Sequence, residues 1–145
     1  MKTLFFILFI IINFLLIFKV NNLLKPKAAA VSYGISLVIV PVLMLAGIYL
    51  LRLLDFHADQ QFQDIYFALM FSLVVMILLN LVVISAEAMI RKLFHFQETE
   101  NAVNAAINPV RFALKNKSGI KAVNRAVFFV GSILIFYGIW LSNVS

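Results

Sequence analysis

Four long uncharged stretches dominate the chain: Thr3 to Phe18, Ala28 to Leu51, Ile65 to Ala86 and Ala126 to Ser145. Each consists almost wholly of Leu, Ile, Val, Phe, Ala and Met. A helix needs about 20 apolar residues, at 1.5 Å each, to cross roughly 30 Å of hydrocarbon. The chain therefore reads as an all-α polytopic membrane protein with spans at about 3–24, 28–54, 65–90 and 122–141. At 145 residues it forms one four-helix membrane domain, with little mass left for a soluble part. A hydrophobic share of 64% and a mean hydropathy of +1.06 place it far from soluble globular domains.

The first stretch has the outline of a signal peptide, with Lys2 ahead of an apolar run. No small-residue cleavage site follows Phe18-Lys19-Val20-Asn21-Asn22, and Ala28-Ala29-Ala30 comes too late. It is expected to remain as a transmembrane helix, reaching Leu24 if Lys19 snorkels to the headgroups.

Charge sets the expected orientation. Lys19, Lys25 and Lys27 lie between the first two spans, and Arg91, Lys92, Arg111, Lys115, Lys117, Lys121 and Arg125 between or flanking the last two. Only Lys2 and Arg52 sit on the other side, near Asp55, Asp59 and Asp64. Ten basic residues against two put loops one and three in the cytoplasm and both termini outside. Tyr49, Tyr66, Tyr137 and Trp140 fall near the outer interface, where amphipathic rings settle. Abundant Phe, Ile, Asn and Lys suggest an AT-rich bacterial source, hence an inner membrane with periplasmic termini.

Small residues mark expected packing or partner-contact faces. In the second span Ser32, Ser36 and Gly47 share a face with Leu43, with a kink expected at Pro41. In the fourth Gly131, Gly138 and Ser142 share a face with Ile135. The third span carries the polar stripe: Ala68, Ser72, Met76, Asn80 and Glu87 recur at intervals of four or seven, followed by Arg91, with Ser85 opposite. Asn80 falls near the bilayer midplane. Glu87 lies four residues before Arg91, the spacing of an intrahelical ion pair.

The third loop, from about His95 to Lys121, is expected to hold a short basic amphipathic segment. Asn108-Pro109 resembles a helix start and Gly119 a helix end, with another short helix possible over Thr99 to Ile107. Arg111, Lys115, Lys117 and Lys121 then meet anionic lipid headgroups or a cytoplasmic partner. Topology already accounts for this charge, so nucleic acid is not an expected partner.

The chemistry is sparse. Without cysteine, thiol exchange and thiolate metal sites are excluded, membrane dithiol oxidoreductases among them. Asp55-Phe56-His57-Ala58-Asp59 is better read as a solvated loop, with Asp59 or Asp64 capping the third helix, than as a metal site. His95 lies on the other side of the membrane. No phosphate loop, nucleophile elbow or catalytic carboxylate pair is present. Small multidrug exporters are similar in size, but their essential glutamate lies in the first span, where this chain has only Asn13. The expectation is a non-enzymatic, cofactor-free membrane subunit that packs on, assembles or stabilises a larger membrane complex. The competing expectation is a small homo-oligomeric carrier or channel using Asn80 and Glu87.

Overall fold

A computed structural model describes residues 1–23, 25–53, 59–99 and 110–142. Helix α1 runs from Lys2 to Leu23, as an α-helix over Lys2–Leu15, a π-helical turn over Leu16–Val20 and a final turn over Asn21–Leu23. Helix α2 spans Pro26–Leu53, α3 Gln60–Thr99, α4 Val110–Lys115 and α5 Lys117–Trp140. Helices α1, α2, α3 and α5 are each long and apolar enough to cross a membrane, so the chain is a polytopic all-α membrane protein. The described residues contain no strand.

The ends follow local chemistry. Pro26, whose fixed φ suits the first helical position, opens α2. Asp59 caps α3, its Oδ1 accepting from the Phe62 N–H at 2.8 Å, one of the two caps anticipated there. Helix α2 continues as one helix through Pro41, which has no N–H to donate to the Leu37 carbonyl. At 40 residues, about 60 Å, α3 is twice as long as the hydrocarbon requires and continues well past Arg91. The expected stop at Gly119 is not observed. The chain breaks at Asn116, and Gly119 lies inside α5. The expected start at Asn108-Pro109, the segment from Glu100 to Ile107 and the loop residues Asp55 to Ala58 lie outside the described residues.

Helix α3 is the centre of the bundle. It packs against α2 on one side and α5 on the other, and α5 packs in turn against α1. The α1–α5 seam is aromatic. Phe5 and Phe9 stack on Trp140 at 5.1 and 5.9 Å between ring centroids, and Phe14 meets Phe129 edge-on at 5.3 Å. Each such pair is worth about 0.5–1.5 kcal/mol beyond its contact area. Trp140, the last residue of α5, is thereby buried against α1 and α3, and its Nε1–H donates to Ser72 Oγ at 2.9 Å. Tyr49 and Tyr137 remain exposed.

Helix α2 joins α3 through Ala29, Tyr33, Leu37 and Val40, not through the face predicted from Ser32 and Leu43, both of which point away from the bundle. Bulk explains the difference, because Tyr33 and Leu37 fill the space beside Ile77 and Ile84 that small residues would leave open. Gly47 lies against the Tyr66 side chain of α3. A side chain there would collide with the Tyr66 hydroxyl, which donates to the Met44 carbonyl at 3.0 Å. On α5 the inward residues are Arg125, Ser132, Phe136 and Trp140, while Ile135, Gly138 and Ser142 face outward. No atom outside the local helix lies within 4 Å of a side chain built at Gly131 or Gly138.

Candidate functional site

Among the described residues, seven polar or charged ones are buried: Asn13, Asn21, Ser72, Asn80, Glu87, Arg125 and Ser132. In lipid, where exposed faces must be apolar, such groups need internal partners. Asn80 of α3 is the hub. Its Nδ2 donates to Asn13 Oδ1 at 3.0 Å and to the Met76 carbonyl at 2.9 Å, while its Oδ1 accepts from Asn21 Nδ2 at 3.0 Å. Asn13 Nδ2 continues to Ser132 Oγ on α5 at 2.8 Å, and that hydroxyl donates to the Phe129 carbonyl. On the other side the Tyr33 hydroxyl of α2 donates to Asn21 Oδ1 at 2.9 Å. One continuous chain of hydrogen bonds therefore ties all four membrane-spanning helices together.

The π-helical turn makes this chain possible. Phe9, Asn13, Ile17 and Asn21 are the buried residues of α1, each four after the last. At about 100° per residue, a strict α-helix would rotate such a series by about 40° at every step. Asn13 and Asn21 would then stand about 80° apart. The wider turn over Leu16–Val20 absorbs one residue, so their separation behaves as seven residues, close to two whole α-turns.

Toward the end of the bundle that carries the basic loops, Arg125 Nε and Nη2 donate to Glu87 Oε1 and Oε2 at 2.5 and 3.1 Å. The two side chains are only 9% and 10% exposed, which makes this a buried, bidentate interhelical pair. The expected Glu87–Arg91 pair is not formed. Arg125 reaches the carboxylate from the neighbouring helix with both edges of its fork, a geometry open to guanidinium across a helix interface. Arg91 is left without an anionic partner among the described residues.

Beside this pair lies a cavity of about 510 Å³, open to the exterior. Its polar walls are Asn21 and Asn22 of α1, Glu87 and Arg91 of α3, and Ser118, Lys121 and Arg125 of α5, with Pro26 at the rim. The described residues contain no cluster of three metal-ligating side chains.

Of the residues singled out from sequence, Ser72, Asn80 and Glu87 are all buried on the inner face of α3, each with its own partners on other helices (Trp140; Asn13 and Asn21; Arg125), and Ser85 is exposed on the opposite face as expected. Ser32, Gly131 and Gly138 take no part in the polar network. In the basic segment, Arg111 and Lys115 are exposed on α4, while Val110 and Leu114 are half-buried. Lys117 instead pairs with Glu98 at 2.5 Å and sits 5.6 Å from the centre of the Phe94 ring. Sequence reasoning missed Asn13, Asn21, Tyr33, Arg125 and Ser132 as site residues. An amide inside an apolar span was the available signal for Asn13. No protein family, curated protein or solved structure matches this chain.

Proposed function

We propose that the chain is a non-enzymatic integral membrane subunit that packs on and stabilises a larger membrane assembly. The observation that carries this reading is the internal closure of its polar core. Asn80 and Glu87, the groups most suited to handling a solute or proton, already use their hydrogen-bonding capacity on Asn13, Asn21 and Arg125. Glu87 borders the cavity, but Arg125 holds both of its oxygens, and Asn80 is not among the lining residues; a carrier would need both groups free along one path. The outward faces suit helix association in lipid, since Ser32 on α2 and Gly131 and Gly138 on α5 let another backbone approach closely. The ten-to-two distribution of basic residues favours both termini outside and loops one and three cytoplasmic, and the abundance of Phe, Ile, Asn and Lys favours a bacterial inner membrane.

Site-specific photo-crosslinkers at Ser32, Gly131 and Gly138 test the reading in native membranes. The expected result is a discrete adduct with another membrane chain at these positions and none from a crosslinker at Lys92. Adducts with lipid alone at all three positions would remove its support. Proteoliposomes test the carrier directly. Solute or proton flux from the wild-type protein, abolished in Glu87→Gln, would replace the subunit reading.

A further inference from the structure

We infer that the cavity between α1, α3 and α5 is a binding site for a phosphate-bearing anion at the level of the lipid headgroups. Three cations, Arg91, Lys121 and Arg125, line it against one carboxylate, Glu87, leaving a net of two positive charges. Glu87 is occupied by Arg125, whose fork keeps further N–H donors beyond the two that it commits. Arg91 and Lys121 have no anionic partner among the described residues, and both are half-buried in the wall rather than spread into solvent. Arrangements of this kind are costly unless an anion neutralises them, and guanidinium matches phosphate oxygens with two parallel hydrogen bonds.

Helix ends add to the field. Ser118, in the first turn of α5, and Pro26, which opens α2, both border the cavity. No side chain caps the start of α5, and neither helix has an acidic residue in its first turn. Both helix starts therefore border the same space, and a helix N-terminus carries partial positive charge that favours an anion. The depth is also suitable. Arg91 lies eleven residues beyond Asn80 on a continuous helix, roughly 16 Å along its axis, and so near the edge of the hydrocarbon if Asn80 is close to its middle. A volume of about 510 Å³ admits a phosphate together with the glycerol that carries it in a lipid.

The site holds whether or not the chain has protein partners, and its two phosphate sources can be separated. The purified protein is placed in nanodiscs of mixed phosphatidylglycerol and phosphatidylcholine, and the lipid retained on release is counted by native mass spectrometry. In parallel, inorganic phosphate is titrated calorimetrically into the protein in detergent. The expected result is selective retention of phosphatidylglycerol, roughly thirty-fold weaker in the Arg91→Gln/Lys121→Gln double variant. Lys92→Gln, which removes a neighbouring exposed cation outside the cavity, should retain it. Inorganic phosphate that binds with the same dependence on Arg91 and Lys121 would identify a soluble phosphate as a ligand, while lipid retention without phosphate binding would identify the headgroup. No selectivity in either arm, or equal losses in the double variant and Lys92→Gln, would overturn the site. Neither Arg91 nor Lys121 belongs to the buried network, and unchanged helical circular dichroism confirms that the variants are folded.

Discussion

Asn80 commits both ends of its amide, so replacing it does more than delete one bond. Asn80→Leu would leave the Asn13 oxygen and the Asn21 amide nitrogen unpaired in a buried setting. Each orphaned group costs about 1–3 kcal/mol, whereas Ser85→Ala on the exposed face should change stability by less than about 0.5 kcal/mol. Unfolding in mixed micelles titrated with dodecyl sulfate measures both, and equal effects would contradict the hub role of Asn80. A larger loss is expected at the ion pair. Glu87→Gln strands the Arg125 charge, at a cost of about 3–5 kcal/mol, while the double change Glu87→Met/Arg125→Met should recover most of that loss. The same titration reads it, and a mild effect of Glu87→Gln would mean that water reaches the pair. Asn80 and Glu87 were legible in the sequence because a polar group inside an apolar helix needs a partner. Arg125 was not, because it lies where topology already demands positive charge, and the same residue can serve orientation and pairing. Asn21 was hidden for a similar reason, since it lies beyond the apolar run that ends at Phe18, among Lys19, Asn22 and Lys25.

Among the elements, α1 departs most from what its sequence suggests. Span lengths and the stripe on α3 follow from hydropathy and a 3.6-residue period, both of which are local properties. A π-helical turn is not local: it forms where tertiary hydrogen bonds outweigh one residue's worth of regular geometry. The same override accounts for α2, whose small-residue face gave way to Tyr33 and Leu37 once α3 offered a surface that they could fill. Deletion of Lys19, exposed within the π-turn, should let that turn relax to an α-turn with Asn13 and Asn21 still aligned. Deletion of Ile11, equally exposed but in regular helix, should rotate Phe9 by about 100° away from Asn13. Thermal unfolding in detergent should then show a nearly unchanged midpoint for the first deletion and loss of the folded protein for the second. Comparable damage from both would show that the π-turn does not set the register.

At the scale of the whole molecule, the proposed orientation has a direct test because the chain lacks cysteine. Single cysteines at Lys115 and Gln60, both exposed, lie at opposite ends of the bundle. In intact cells an impermeant thiol reagent should label Gln60→Cys and spare Lys115→Cys until the membrane is broken; the reverse pattern would invert the topology. The hydrogen-bonded chain from Tyr33 to Ser132 carries a further consequence for how this protein meets its bilayer. Sliding one helix past its neighbour by a single residue is a shift of about 1.5 Å, more than the tolerance of a good hydrogen bond. The four spans cannot adjust their depths separately. In a thinner or thicker membrane the protein must tilt as one body, or the surrounding lipid must stretch or compress to meet it, so the thickness mismatch is borne by the lipid and by the helix ends beyond the locked layer.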